Sequence, residues 1–175
     1  LSNFNVKNFF LLNGYKSKKI ENYFSNGKKW NWNIDYSIGE ESFDTGTRLL
    51  NAKSKIKNNF ILLYSDNFIP INLHNYFDYY KKIYPKFSLI TTKKKPGNLK
   101  LLNNLVKNHT YKRKTKYNFV ELGFWILNRD TFFNKQLINS KKSIDFLEFF
   151  IKKSYFKSFE IPFYKSISDK RRLNE

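Results

Sequence analysis

Apolar and polar residues alternate along this chain in short blocks, and the blocks carry two different periods. Phe9-Phe10-Leu11-Leu12 is an apolar run closed by Asn13-Gly14, which predicts a strand ending in a turn. Ser17 offers a helix cap, and Ile20, Tyr23 and Phe24 fall at i, i+3 and i+4 until Asn26-Gly27 ends the helix. Trp30, Trp32 and Ile34 alternate with Asn31 and Asn33, the period of a half-buried strand. A polar loop then runs into a helix expected over residues 46–55, with Thr45 placed to cap it. Phe60-Ile61-Leu62-Leu63-Tyr64 does not alternate at all. It predicts a strand buried on both faces, in the middle of a mostly parallel sheet, leading into the polar tip Ser65-Asp66-Asn67.

The second half continues the pattern. Leu73, Tyr76, Phe77, Tyr80 and Ile83 mark an amphipathic helix, and residues 87–91 a strand. Residues 99–106 fit strand or helix equally. Residues 119–127 form a second strongly apolar strand, interrupted by Glu121 and Gly123. Thr131-Phe132-Phe133 opens a helical turn, and Ser143 caps a helix carrying Ile144, Leu147 and Ile151 on one face. Residues 155–161 and 163–167 read as strands, and Lys170 begins a terminal helix. Strands alternating with helices through the first ninety residues imply βαβ units. The expected fold is α/β: a Rossmann-like three-layer α/β/α arrangement with a mostly parallel sheet and some antiparallel strands in the second half. No repeat or linker divides the chain, so residues 1–175 are expected to form a single domain.

Composition narrows the chemistry. The 175 residues are 41% hydrophobic and 19% aromatic, enough to fold around a real core. There is no cysteine, and His74 and His109 are the only imidazoles, which excludes disulfides, thiolate metal sites and a zinc cluster. No apolar run is as long as a membrane span and no leader is evident, so a soluble cytoplasmic protein is expected. Methionine is also absent, so Leu1 is not a translational start and the chain is expected to be an N-terminally truncated fragment. The net charge of +19 favours polyanions, yet the lysine-, asparagine- and isoleucine-rich bias of an AT-rich coding sequence accounts for much of it.

Two features carry candidate chemistry. Asp66 follows the apolar strand, where carboxyl ends of strands gather ligands and a carboxylate can hold a divalent cation against a phosphate; it can equally cap the next helix. Thr45-Gly46-Thr47 opens a helix whose N–H groups can cradle a phosphate or a base edge, although an ordinary capped loop has the same sequence.

These pieces occur in an order that resembles the sugar-1-phosphate nucleotidyltransferase family. Asn13-Gly14-Tyr15 with Ile20 and Tyr23-Phe24 is similar to that family's N-G-Y…I…Y-F segment. Ile34-Asp35-Tyr36-Ser37 with Glu40, Thr45-Gly46 and Leu49 resembles its I-x-Y-S…E…T-G…L loop. Residues 60–66 resemble its F-L-L-x-Y-G-D strand, with Ser65 in place of glycine, and residues 119–123 its Y-V-E-x-G strand. Residues 164–173 are similar to a closing D-I-G-T-P-E-R-L.

The resemblance implies a GT-A-like, Rossmann-related fold and transfer of a nucleotidyl group from a nucleoside triphosphate to a sugar 1-phosphate. It implies Mg2+ held by Asp66, with Asp169 as a second ligand because Ser166 stands where a metal-binding aspartate is usual. It places nucleotide near Thr45, Gly46 and Ser65 and sugar hydroxyls near Glu121 and Gly123. Nucleotide-sugar production of this kind supplies polysaccharide biosynthesis. The glycine-rich triphosphate segment that opens the family is not found in this chain, and the fragment by itself is expected to be inactive. The E-K-P lysine of the family is not identifiable, although Lys112, Lys114 and Lys116 lie in that region.

Three alternatives stand beside this reading. A basic nucleic-acid-binding module fits the charge and interleaved aromatics, but most rings sit at core-facing positions, where packing accounts for them. A GT-A glycosyltransferase would show D-x-D where Asp66-Asn67-Phe68 stands. An inactive relative would tolerate Ser166.

Overall fold

In the computed structural model, strands β1 (Asn8–Asn13) and β2 (Asn33–Ile38) run parallel, in register from Asn8 opposite Asn33 to Asn13 opposite Ile38. Helix α1 (Ser17–Phe24) connects them, so the sequence-predicted βαβ unit is present. The structure describes residues 1–84, 86–133, 146–153 and 155–167. They belong to two compact units: Leu1–Lys57 and Phe133 lie in the first, and Asn58–Phe132 with the described residues from Phe146 onward makes the second.

Local details of the first unit differ from the sequence expectation. Ser17 does not cap α1; Lys16 precedes the helix in a left-handed conformation (φ 54°) and no side chain caps its start. The turn supplies its own satisfaction, because the Ser17 N–H donates to the Gly14 carbonyl. Trp30 lies in a single 3-10 turn (Lys28–Trp30), and the strand begins only at Asn33. The alternation of Trp30 and Trp32 placed them on one face, and a turn does this as well as a strand: their rings stack 5.6 Å apart, against Phe24. Helix α2 (Thr45–Ala52) is capped by the Asp44 carboxylate, which accepts from the Thr47 N–H at 2.7 Å, and not by Thr45. It buries Leu49 and Ala52.

The second unit is a mixed sheet in the order β3 (Phe60–Leu63), β8 (Phe119–Leu127), β5 (Phe87–Lys93), β9 (Phe156–Glu160), β7 (Leu105–Lys114), β6 (Gly97–Leu102). A further pairing of Leu99 with Phe119 joins β6 back to β8 and closes a ring of strands. Among the described residues β5–β9 is the one parallel pairing of this sheet; β3–β8, β5–β8, β6–β7 and β7–β9 are antiparallel. The mostly parallel sheet expected from the sequence is therefore replaced by a mixed one. The cause is β8, which inserts between β3 and β5, both of which run opposite to it. An apolar run does not reveal its direction, so sequence patterning missed this.

The same strands decide where the core lies. Strand β5 is buried along six of its seven residues, whereas β3, at the end of the strand order, leaves Leu63 39% exposed. The fully buried strand is thus β5 and not β3. Phe87, Leu89, Ile90, Leu122, Leu127 and Phe156 fill the centre, each contributing about 2–3 kcal/mol by burial. Helix α3 (Leu73–Ile83) covers this sheet through Leu73, Tyr76 and Tyr80. Its cap is Asn72, whose side chain accepts from the His74 and Asn75 N–H groups, so Asp66 is left out of capping. The segment 99–106 resolves into β6 and the start of β7, and residues 129–132 form the expected short turn. Of residues 163–167 only Lys165–Ser166 are strand (β10), paired antiparallel with β4 (Asn67–Phe68). The predicted cap at Ser143 and the helix after Lys170 lie outside the described residues.

Candidate functional site

Strand β8 changes partners halfway along. Its first part faces β6, and Phe124–Leu127 pairs with Leu63–Phe60 of β3. Between the two, the register with β5 jumps: Thr91 faces Glu121, but Leu89 faces Trp125. The extra residues form a bulge at Leu122-Gly123, and bulges re-aim side chains. Gly123 has φ +67°, and a Cβ there would stand 2.7 Å from Cδ2 and 2.9 Å from Cβ of Tyr64. Only glycine fits such a position without strain. The carbonyls that the bulge frees are taken up locally. Tyr64 N–H donates to the Gly123 carbonyl at 2.8 Å, and Asn67 Nδ2 donates to the Leu122 carbonyl at 3.1 Å.

Glu121 lies at the base of this bulge. Its Oε1 accepts from the Gly123 N–H and from the Trp125 indole N–H, while its own N–H donates to Asn98 Oδ1 at 3.0 Å. Burial pushes its carboxyl up to about 7. The two donors oppose this rise, and the negative charge of nearby Asp66 adds to it. Glu121 is therefore a carboxyl whose protonation changes near neutrality, with one oxygen committed to the bulge. Its Oε2 makes no hydrogen bond among the described residues.

Asp66 projects from the turn that follows β3. It is exposed, and its carboxylate makes no hydrogen bond or ion pair among the described residues. Its backbone is held, because the Ile167 N–H donates to the Asp66 carbonyl at 2.8 Å and Ser166 pairs with Asn67. The closing segment is thus brought beside the Asp66 turn, with Ser166 next to it. Asp169 lies outside the described residues. Ser65, Asp66, Glu121 and Gly123 therefore form one cluster at the junction of β3, β8 and β10. Thr45 and Gly46 belong to the first unit, in the opening turn of α2.

Around α2 the residue that matters is Arg48. Its guanidinium donates to the carbonyls of Asn13 (2.6 Å), Glu40 (2.7 Å) and Phe43 (3.1 Å). It thereby ties the end of β1 to the loop before α2. A Cβ at Gly14 would stand 2.3 Å from its Nη2, and one at Gly39 would stand 2.8 Å from Cδ2 of Phe43 and 3.3 Å from Arg48 Nη1, so the guanidinium packs closely against both glycines. Sequence reading also missed Asn67, Asn98 and Trp125. For Trp125 a signal existed, since Glu121, Gly123 and Trp125 share one face of a strand at i, i+2 and i+4.

No protein-family model and no curated protein sequence matches the chain. Its fold does match solved structures. One is a Bacillus anthracis protein described as a glucose-1-phosphate thymidylyltransferase, in complex with sucrose. The two share 8% identity with a TM-score of 0.82, over 99% of this chain and 76% of that one. Another is HddC from Yersinia pseudotuberculosis, also solved with GMP-PN, at 17% identity and a TM-score of 0.78 over 99% of this chain and 78% of its own. At these identities the likeness establishes the fold.

Proposed function

We propose that the chain carries out nucleotidyl transfer to a sugar 1-phosphate. A phosphate oxygen of the sugar phosphate attacks the α-phosphorus of a nucleoside triphosphate, the bond to the β,γ-phosphates breaks, and pyrophosphate leaves. The observation that carries this reading is the convergence of three segments distant in sequence, the Ser65-Asp66 turn, the Glu121–Gly123 bulge and Lys165–Ser166. They meet at one strand junction in a fold shared with a protein described in these terms. On this reading the β1–α1–β2 unit is a Rossmann-like element of the family, and the separate sheet of β3 and β5 to β9 is mixed and closed instead of forming a three-layer arrangement.

The attacking phosphate is already an anion, so no protein nucleophile is required. The protein must position reactants and balance charge. Asp66 is suited to Mg2+, which takes one or two carboxylates and keeps its remaining positions for water and substrate phosphates. Its carboxylate is exposed and engages none of the described residues, and among those residues no cluster of three or more metal-binding side chains exists. Asp66, with Asp169 as the proposed second ligand, would hold the ion, and Mg2+ when bound would neutralise phosphate charge. Ser65 is exposed beside Asp66 and would contact the nucleotide. Thr45 and Gly46 would approach its base or sugar more readily than its phosphates, because the Asp44 carboxylate already occupies that helix start. Glu121 Oε2 would accept from a sugar hydroxyl, and Gly123 would keep the bulge that presents it.

The test is pyrophosphate release by the chain with Mg2+, the four nucleoside triphosphates and a panel of sugar 1-phosphates. Release that drops at least about 100-fold in Asp66→Ala, with folding intact, supports the reading; that loss corresponds to about 3 kcal/mol of barrier. Activity unchanged in Asp66→Ala would remove Asp66 from the site; because the 175 residues alone are expected to be inactive, the same panel is run on the chain extended upstream, and a folded protein inert there toward every pair would make it an inactive relative.

A further inference from the structure

Residues 79–120 contain twelve lysines and arginines and no aspartate or glutamate, so all fourteen acidic residues of the chain lie elsewhere. A coding bias that multiplies lysine throughout does not clear the acids from one stretch. The fold then gathers this charge. Gly97 stands opposite Lys114, its N–H donates to the Tyr117 carbonyl, and the Lys94 N–H donates to the Asn118 carbonyl, each at 2.9 Å. The turn Lys94-Lys95-Pro96 is thereby joined to the strand end Lys112-Arg113-Lys114 and to Lys116. The side chains of residues 93–96 and 111–116 are all exposed. One ion pair touches this patch among the described residues, Lys93 with Glu160 at 3.5 Å.

Two aromatic rings accompany the basic segments, Tyr164 in contact with both and Tyr111 next in sequence to Lys112. Tyr111 is 79% exposed, edge-on to His109. Tyr164 bridges the two basic segments: Arg113 Nη2 donates to its hydroxyl at 3.1 Å, and the Lys94 ammonium lies 5.5 Å from its ring centroid. Tyr111 is exposed and Tyr164 half-buried, and both adjoin cations of the two basic segments. Rings for stacking and cations for phosphates are the combination that holds single-stranded nucleic acid with little sequence preference. An anionic polysaccharide and a lipid surface share the attraction to these cations, and the experiment below separates them from nucleic acid.

We propose that the face formed by Lys94-Lys95, Tyr111–Lys114, Lys116 and Tyr164 binds single-stranded nucleic acid, a role separate from the chemistry at Asp66. The experiment measures fluorescence anisotropy of a labelled oligothymidylate of roughly 15 nucleotides with the full chain, from about 50 to 300 mM salt. Replacing Lys112, Arg113 and Lys114 together by alanine is expected to weaken binding at least about tenfold. It should also lower the slope of log affinity against log salt by about 2, near 0.7 for each phosphate no longer neutralised. Tyr111→Ala is expected to weaken binding about fivefold with the slope unchanged, the signature of a missing stack. A matched variant with alanine at Lys18, Lys19 and Lys28, exposed in the first unit, should change affinity less than about twofold. All these side chains are exposed, and circular dichroism verifies that each variant folds. Equal losses in the two triple variants would reduce the effect to net charge and overturn the proposal. So would Tyr111→Ala binding as the parent does, or heparin and phosphatidylserine vesicles binding with the same dependence on these residues.

Discussion

The loop before α2 and the turn after β3 both present polar side chains near the end of a strand, and they use them in opposite ways. In the first, Arg48 spends its guanidinium on three backbone carbonyls and Asp44 commits its carboxylate to the start of the helix. In the second, the Asp66 carboxylate engages none of the described residues and Glu121 has one oxygen to spare. Charged groups bonded to backbone hold a shape. A carboxylate left exposed and unengaged in a chain of net charge +19 contributes little to stability, which makes it the better candidate for chemistry.

The comparison breaks most readily at Gly123. A valine there is forced into the left-handed region and against Tyr64, and should cost on the order of 3–4 kcal/mol by urea denaturation, the sum of backbone strain and overpacking. Arg48→Ala should cost about 2 kcal/mol, because two part-buried carbonyls and one exposed carbonyl lose a charged donor; Arg48→Lys should recover little of it, since an ammonium cannot fork across three acceptors. Amide exchange in the loop 39–44 would rise in both Arg48 variants, and an unchanged loop would refute its role.

Glu121→Gln tests the other side. The folded carboxyl is raised from its ordinary 4.5 to about 7, so between these values the folded chain keeps a proton that the unfolded chain has lost. Its contribution to stability therefore falls as pH rises from about 4.5 to 7 and is level beyond. Glutamine keeps the acceptor for Gly123 and Trp125 without the charge. The variant should match the parent near pH 4 and exceed it above pH 7 by up to about 3 kcal/mol. A constant difference across pH would contradict this account. The smallest effect belongs to Asp66→Asn. With no bond to the described residues to lose, stability should change by less than about 0.5 kcal/mol. The Glu121 midpoint, followed by Trp125 fluorescence, should move down as the neighbouring charge disappears.

Much of this molecule was legible in residue order. The runs that became β1, α1, β3, α3, β5 and β8 appear where periodicity places them, and Glu121 and Gly123 stood out because a carboxylate and a glycine interrupt an apolar strand. Caps were misjudged by one residue or more, at Lys16 and Asp44, because several polar neighbours can satisfy a helix start and only geometry selects one. Burial of β3 was overestimated because an unbroken apolar run reads the same at a sheet's edge as at its centre. The role of Arg48 had no local signal, since its acceptors lie as far away as Asn13.

By itself the sequence determined the elements, the positions of the conformationally demanding glycines and the residues able to carry charge, since these follow from local sterics and side-chain chemistry. The tertiary structure alone decided strand direction, the closing of the sheet, the meeting of the Asp66 turn with the Glu121 bulge, and the joining of two basic segments into one surface. Each of these depends on which backbone hydrogen bonds form between distant segments, and a strand's donors and acceptors are the same whatever partner it meets.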